Sequence, residues 1–292
     1  MSETPAVFFQ VREQFLTLID GVRPELHRYC ARLTGSVIEG EDIVQETLAK
    51  AFYTLSMMPE VPPLRPWLFR IAHNTAIDFL KSHGRKYTDP SDTMDDLADF
   101  QDRPDPAIVR AALVRFVVLP VIQRSAVILK DVLGHSLEET AETMGSTVMA
   151  VKAALVRGRA KLLAEEEPEP NELNPGTRAD LNRYASLFNA RDWDGLRALI
   201  GEDCKLDLVA KGRRRGKEVG AYFGRYEKED VSLRVVRLEG RLAFAAHVGT
   251  SEKPAYFILL AWKDGQVDAV RDFRYVSYIA DEAVFSSADS DS

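Results

Sequence analysis

Apolar side chains recur at every third or fourth position over most of the first 164 residues, which predicts amphipathic helices. The clearest stretch spans residues 64–86 and includes Pro66, which suits the first turn of a helix because it has no N–H group to leave unpaired. The face opposite the apolar one carries cationic, amide and imidazole groups: Arg70, His73, Asn74, Lys81, Arg85 and Lys86. This pattern is typical either of a solvated helix face or of a surface that follows phosphates and holds unstacked bases.

A second helical stretch contains a tight turn between two apolar periodicities. Ser136 followed by Glu139 predicts a capping box at the start of one helix, and Gly145 predicts its end. Ser146 or Thr147 then caps a second helix, whose cationic residues are Lys152, Arg157, Arg159 and Lys161. Two helices joined by a glycine-containing turn can deliver the second helix to the major groove of DNA. A helical hairpin without DNA-binding function has the same pattern, so both interpretations stand at this point.

Two acidic, proline-containing stretches divide the chain into three structured blocks. The predicted segments are residues 8–87 (helical), 88–106 (linker), 107–164 (helical), 165–177 (linker), 178–282 (mixed) and 283–292 (disordered tail). The chain is therefore predicted to have several domains, of which the first two are all-α.

The third block combines a helix with strands. Its alternating pattern predicts a helix at residues 178–190 and strands at residues 204–210, 232–238, 241–248, 255–263 and 266–275. This order of elements predicts an α+β domain. Alternation along the strands makes the following residues candidates for a shared pocket: Asp207, Tyr222, His247, Tyr256, Trp262, Arg271 and Asp272.

The net charge of −7 disfavours tight DNA binding by the chain alone. The location of charge matters more than its total, however. Acidic residues concentrate in segments 88–106 and 165–177, whereas the helices described above are locally basic. This distribution predicts DNA binding that is regulated or assisted by a partner.

Several kinds of site and location are disfavoured by the sequence. Cys30 and Cys204 lie far apart and do not belong to a set of Cys and His ligands at metal-ligand spacing, so each is expected to be a buried thiol, and no metal or cofactor is expected. No apolar run reaches the length of a membrane span, and the first residues lack the layout of a signal peptide. We therefore expect a cytoplasmic protein without membrane contact.

Three segments, in this order, resemble the extracytoplasmic-function (ECF) sigma factors, the smallest members of the sigma-70 family. They are GEDIVQETLAKAF at residues 40–52, PWLFRIAHNTAIDFLKSHGRK at residues 66–86, and SLEETAETMGSTVMAVKAALVRGRAKLL at residues 136–163. The resemblance implies a region 2 helical bundle and a region 4 helix-turn-helix. It also implies two partners, core RNA polymerase and promoter DNA.

The first of these segments forms one helix with two distinct faces. Val44, Leu48, Ala51 and Phe52 are predicted to point inward. Asp42, Gln45, Glu46 and Ala49 recur at i, i+3, i+4 and i+7 and so share the outer face. This face is a solvated surface by default, and the resemblance implies that it docks onto core polymerase.

The other two segments are implied to contact the promoter. Helix 64–86 would bind and melt the −10 element through its polar face, His73 included, with Asn74 at a base edge and Arg70, Lys81, Arg85 and Lys86 on the backbone. The loop at residues 56–65 would hold a flipped base, because stacking on protein groups offsets the cost of unstacking. The −35 element would be read through Thr147, Lys152, Arg157, Arg159 and Lys161. Ala153 and Ala154 stand where family members often have a polar or basic pair, which leaves fewer groups to read bases.

The third block resembles the SnoaL-like branch of the NTF2-like α+β cone, a fold that encloses a pocket. Some ECF sigma factors carry such a domain as a C-terminal regulatory extension, so a small-molecule ligand or a protein regulator is an implied partner. SnoaL-type cyclases transfer protons with an acid and a histidine, roles that Asp207 and His247 would have here. The basic loop at residues 211–217 is either a solvated hairpin or a contact for DNA or an acidic linker.

Three hypotheses follow from these patterns. The first is an alternative sigma factor, not an enzyme, whose C-terminal cone gates its activity. The second is a SnoaL-like enzyme that transforms a small molecule and is fused to a DNA-binding module. The third is a DNA-binding repressor that never meets polymerase, which predicts tight duplex binding by the free protein.

Overall fold

The computed structural model describes residues 4–58, 62–82, 100, 102–103, 106–109, 111, 113–164, 178–215 and 220–288. The chain divides into two compact units, Met1–Pro168 and Glu169–Ser292, and each has its own core. Within the described ranges, every helix is too short or too polar to span a bilayer.

The regular elements described in the first unit are all helices, as the sequence predicts. Its α-helices are α1 (Thr4–Thr34), α2 (Val37–Leu55), α3 (Leu64–Ser82), α4 (Pro106–Val109), α5 (Val121–Val127), α6 (Leu137–Met144) and α7 (Val148–Ala164). A 3-10 turn at Leu113–Val118 precedes α5, and a π turn at Ile128–Val132 follows it.

Both predicted helical blocks contribute to a single hydrophobic core in the first unit. Tyr29 of α1 and Phe69 of α3 belong to the same buried cluster as Phe116 and Leu155 of the second block. Most of the apolar run at residues 113–129 is therefore core, although Val117 within it is exposed. Helical periodicity predicts that each helix buries one face, and here those faces bury one another.

Polar groups also join the two blocks. The guanidinium of Arg124 on α5 donates to the carbonyl oxygen of Leu33 on α1, and also to Val117 O at 2.7 Å and Leu119 O at 2.8 Å. The ring of His135 meets Phe69 edge-on at a centroid distance of 4.8 Å. Burial and the nearby Arg65 lower the pKa of His135, so the imidazole stays neutral in this contact.

The two blocks pack closely together at Gly35. This residue ends α1 with a φ of +84°, a conformation that glycine adopts without the steric cost of a Cβ. A Cβ placed on Gly35 would overlap a methyl group of Val117 and would lie 3.6 Å from the Val117 Cβ. Glycine at position 35 therefore satisfies both the positive φ of the turn and the close packing against Val117.

The second unit is an α+β structure. Its strands are β1 (Ile200–Leu208), β2 (Gly212–Arg215), β3 (Val231–Leu238), β4 (Arg241–Val248), β5 (Tyr256–Lys263), β6 (Gln266–Asp272) and β7 (Phe285–Ser287). In the described part they form one seven-stranded sheet of order β2-β1-β6-β5-β4-β3-β7. The helices are α8 (Arg178–Asn189), α9 (Trp193–Leu199), α10 (Gly220–Tyr226) and α11 (Ile279–Glu282). The five predicted strands and the first helix are present, and the short β2 and β7 were not predicted.

Helix α8 packs on the sheet through residues at helical spacing. Leu181, Tyr184 and Phe188 are buried, and Tyr184 stacks on Phe244 of β4 at 5.2 Å between ring centroids. At the end of this helix, the side-chain amide of Asn189 donates to Leu233 O at 2.9 Å and accepts from Leu233 N at 2.8 Å. This amide supplies the hydrogen bonds that a neighbouring strand would otherwise make to the edge of β3.

Candidate functional site

The exposed face of α3 carries the polar groups that the sequence singled out. Arg70, Asn74 and Lys81 are exposed and lie on one side of the helix, together with Asp78. The buried side is formed by Leu68, Phe69, Ala72, Ala76, Ile77 and Leu80. Burial of that side fixes the rotation of the helix, so the exposed residues form a continuous line. Arg85 and Lys86 lie outside the described residues.

His73 differs from the prediction because it is on the buried side of α3. It is 5% exposed, and its Nδ1 lies 2.6 Å from the hydroxyl of Tyr29. Burial lowers the pKa of His73 to about 4, so the ring is neutral at pH 7. The Tyr29 hydroxyl also donates to Ser125 of the second block, at 3.4 Å. His73 is thus a packing residue in this conformation and does not belong to the exposed line on α3.

The candidate polymerase-binding face on α2 is largely exposed. Asp42, Glu46 and Ala49 are exposed, and Gln45 is half-buried. Glu46 pairs with Lys50 at 2.8 Å across one helical turn. A charged, exposed surface of this kind suits an association steered by complementary charge.

Phe52 was predicted to point into the core, and this prediction is wrong. It is 42% exposed and contacts the core at one side, where its ring lies 6.2 Å from that of Phe15. Tyr53, Met57 and Met58 are exposed beside it in sequence, so the end of α2 forms an apolar patch. Exposed apolar patches on soluble proteins often mark contact sites.

The helix-turn-helix has the local geometry that its sequence predicts. The Ser136 hydroxyl accepts from Glu139 N at 3.0 Å, and the Glu139 carboxylate accepts from Ser136 N at 2.7 Å, which completes the capping box. These hydrogen bonds lower the pKa of Glu139. Gly145 ends α6 with a φ of +61°, and the Thr147 hydroxyl caps α7 by accepting from Ala150 N at 3.1 Å.

The cations of α7 are placed in different surroundings. Lys161 is exposed, Arg157 is half-buried, and the ammonium of Lys152 lies 5.1 Å from the ring centroid of Phe100. Arg159 donates to both carboxylate oxygens of Asp131, at 2.8 Å and 2.6 Å, and the Asp131 side chain is completely buried. Removing one partner of such a buried pair leaves an uncompensated charge. Arg159 therefore stabilises the fold in this conformation, and it is the weakest of the predicted −35 contacts.

Comparison with known protein families gives two matches, which include the helices α2, α3 and α6 and most of α7 described above. The Sigma-70 region 2 family model matches residues 18–86, and the Sigma-70 region 4 family model matches residues 116–162. The ECF RNA polymerase sigma factor SigM of Mycobacterium tuberculosis is 34% identical over 140 residues, which cover 47% of this chain and 69% of SigM. The chain belongs to the ECF sigma factors.

Two further relatives of this sigma factor extend the comparison. ECF sigma factor SigG of Mycobacterium tuberculosis is 32% identical over 216 residues, which cover 63% of the chain and 58% of SigG. The chain thus spans less than two thirds of SigG. The crystal structure of the extracytoplasmic-function sigma factor SigJ of the same organism is 22% identical, with a TM-score of 0.36 over 88% of this chain and 95% of SigJ.

In the second unit of this sigma factor, three of the predicted pocket residues, Tyr222, Tyr256 and Asp272, join a buried hydrogen-bond network. The Asp272 carboxylate accepts from the hydroxyls of Tyr222 at 2.9 Å and Tyr226 at 2.8 Å. The hydroxyl of Tyr256 donates to that of Tyr226 at 3.2 Å. Tyr226 was not singled out in the sequence, although its position four residues after Tyr222 puts both on one face of α10.

Burial shifts the titration of this network toward its neutral forms. It raises the pKa of Asp272 and, together with the nearby Asp272, raises those of Tyr222 and Tyr226. The guanidinium of Arg274 lies 4.6 Å from the ring centroid of Tyr226 and balances part of the negative charge. The network is therefore a polar part of the core, held together by mutual hydrogen bonds.

The other predicted pocket residues do not join this network. Arg271 and Asp207 pair with each other at 3.5 Å on neighbouring strands. Arg271 directly precedes Asp272 on β6, so their side chains point to opposite faces of the sheet. The indole N–H of Trp262 is buried without a partner among the described residues, and His247 lines a cavity at the edge of the sheet. The described residues contain no group of three or more His, Cys, Asp or Glu placed to hold a metal ion.

Proposed function

We propose that this chain is the promoter-specificity subunit of RNA polymerase. Core polymerase binds the α2 face of Asp42, Gln45, Glu46 and Ala49, and α3 binds the −10 element through Arg70, Asn74 and Lys81. The second helix of the helix-turn-helix, α7, reads the −35 element from Thr147, Lys152, Arg157 and Lys161. The observation that carries this proposal is the exposed line of Arg70, Asn74 and Lys81 within the segment matched by Sigma-70 region 2.

Binding of both promoter elements requires the first unit to open. The −10 and −35 elements are numbered by their positions upstream of the transcription start, so they lie about 25 base pairs apart. This separation corresponds to about 85 Å along B-form DNA. A compact unit of this length is only about 40 Å across, and both helical blocks share its core. We infer that the closed unit is the resting form, and that polymerase and promoter bind a form in which the two blocks have separated.

The exposed line on α3 is tested by the salt dependence of promoter binding. Replacing Arg70 or Lys81 by Ala in the holoenzyme is expected to reduce the slope of log K against log salt by about 0.7–0.9 each, because one phosphate contact is lost. Asn74→Ala is expected to weaken binding about tenfold and relax the sequence preference, with little change in slope. Both quantities are measured by titrating promoter DNA at several salt concentrations.

Asp78→Asn is the matched control for these variants, because Asp78 is exposed on the same face of α3. It removes a negative charge and is expected to leave binding unchanged or to strengthen it. If Arg70→Ala and Lys81→Ala leave both the affinity and the slope unchanged, α3 is not the DNA-binding surface.

The second unit is proposed to regulate the first rather than to act as an enzyme. Asp207 and His247, the residues that would transfer protons in an enzyme of this kind, have other partners: Asp207 pairs with Arg271, and His247 contacts Ser251. Because both units belong to one chain, the second is present near the first at a high effective concentration. Weak packing is then sufficient to change how readily the first unit opens.

Deleting residues 178–292 tests this regulation. The deletion leaves the complete first unit, which has its own core, and it is expected to change run-off transcription by about tenfold or more, since about 1.4 kcal/mol of packing is enough for that change. Transcription is measured with core polymerase in excess, so that differences in polymerase affinity do not dominate. Equal transcript yields from the full chain and the deletion variant would contradict the regulatory role.

A further inference from the structure

A cavity of about 610 Å³ lies in the second unit, away from the Tyr222–Asp272 network. It wraps around strand β3 near the edge of the sheet: α8, Leu233 and Val235 lie on one face of the sheet, and Val236, His247 and Phe285 of β7 lie on the other. Its size lies within the usual range of small-molecule sites. The apolar part of its lining comes from Ala185, Leu233, Val235, Val236 and Phe285. Of the seven residues that the sequence assigned to a pocket, His247 is the one that lines this cavity.

His247 gives the cavity a hydrogen-bond acceptor. It is 4% exposed, and its Nδ1 lies 3.0 Å from the carbonyl oxygen of Ser251. A carbonyl oxygen can only accept, so Nδ1 carries the proton and Nε2 is the acceptor in the neutral ring. Nε2 is therefore the nitrogen that remains for a ligand, and the ligand must supply a hydrogen-bond donor such as a hydroxyl group.

Phe285 gives the cavity an aromatic wall. Its ring meets that of Phe257 edge-on at 5.4 Å, and the residue is 39% exposed. A phenylalanine that is fixed on one side and accessible on another can pack against an aromatic ring of a ligand. Such a pair gains more binding free energy than the burial of its apolar area alone provides.

The charged groups of the lining balance each other. Arg234 and Glu252 form an ion pair at 3.3 Å, and both side chains are exposed. A ligand with a net charge would gain attraction from one member and repulsion from the other. The lining therefore favours an uncharged molecule.

We propose that the second unit binds an uncharged hydroxylated aromatic compound in this cavity, with its ring against Phe285 and its hydroxyl donating to Nε2 of His247. The residues of this site belong to the second unit, whereas the candidate DNA and polymerase surfaces belong to the first. The site does not depend on the proposed role of the chain in transcription.

The test uses 2-naphthol as the probe and the full chain, with binding followed by the fluorescence of the naphthol. Saturable binding at one site per chain is expected. His247→Asn keeps a donor for Ser251 and removes the Nε2 acceptor, and it should weaken binding about tenfold, the effect of one lost hydrogen bond. Phe285→Ala should weaken it by a similar factor. 2-Methoxynaphthalene has no hydroxyl donor, so it should bind the wild type about tenfold more weakly than 2-naphthol does. Its affinities for the wild type and for His247→Asn should be equal.

Phe52→Ala is the matched control, because Phe52 is an exposed phenylalanine in the other unit. It should bind 2-naphthol like the wild type. The proposal is overturned if 2-naphthol shows no saturable binding, or if Phe52→Ala weakens binding as much as Phe285→Ala. It is also overturned if the methyl ether binds as tightly as the naphthol.

Discussion

Replacing both Asp42 and Glu46 by Lys is expected to weaken binding of the sigma factor to core RNA polymerase by about a hundredfold or more. Both carboxylates are exposed on one face of α2, within the segment matched by Sigma-70 region 2. Like charges brought together at an interface cost several kcal/mol, and about 2.8 kcal/mol corresponds to a hundredfold change in affinity. Promoter-dependent transcription at limiting polymerase should fall by a similar factor. Affinity is measured by titrating core enzyme with labelled sigma factor.

The fold should survive this change, because both replaced side chains are exposed and a surface pair such as Glu46 with Lys50 contributes little stability. Glu202 and Asp203 provide a control of equal charge, since both are exposed on β1 of the second unit. Exchanging these two for Lys should leave polymerase binding unchanged. If the α2 variant binds core enzyme as tightly as the wild type, this face is not the docking surface. An equal loss in the β1 variant would show an effect of net charge alone.

The elements that the sequence predicted well are those governed by local rules. The capping box of Ser136 and Glu139 depends on residues three positions apart, and Gly145 ends α6 because it adopts a positive φ. Strands β3 to β6 follow from alternation over seven or eight residues. The short strands β2 and β7 carry too few residues for such a pattern.

Packing between elements was less predictable, because periodicity shows which face is buried but not what covers it. Arg159 was predicted to contact DNA as one of several cations on α7, and its partner Asp131 lies 28 residues earlier in the chain. His73 borders the polar face of α3 in sequence, and its burial depends on Tyr29, 44 residues away. The candidate pocket failed for the same reason. Alternation identifies side chains on one face of a strand, but Arg271 and Asp272 are adjacent and cannot share a face.

The joining of the two helical blocks is the structural finding with the largest functional consequence. A disulfide between the blocks would hold the first unit closed. The Cβ atoms of Gly35 and Val117 would be 3.6 Å apart, within the range of about 3.5–4.5 Å found for disulfides. Gly35→Cys and Val117→Cys together should therefore form a disulfide on oxidation. Both native cysteines are buried, and burial raises the pKa of each thiol, which makes them poor competitors for exchange.

The single variants control for effects other than the crosslink. Cysteine at position 35 must adopt a φ of +84°, which is expected to cost about 1–3 kcal/mol in stability. Gly35→Cys alone should therefore be less stable than the wild type, but it should transcribe equally under oxidising and reducing conditions. Val117→Cys alone should likewise transcribe equally under oxidising and reducing conditions.

The most direct measurement is run-off transcription by core RNA polymerase with the double cysteine variant, oxidised and then reduced. Because a locked unit cannot reach two promoter elements about 85 Å apart, the oxidised protein should yield about a hundredfold less transcript than the reduced protein. Adding a reductant should restore transcription to the level of the single variants. Equal transcription by the oxidised and reduced forms, with the disulfide verified by mass spectrometry, would contradict the requirement for opening. No transcription by either form, or by the wild type, would contradict the proposed sigma function itself.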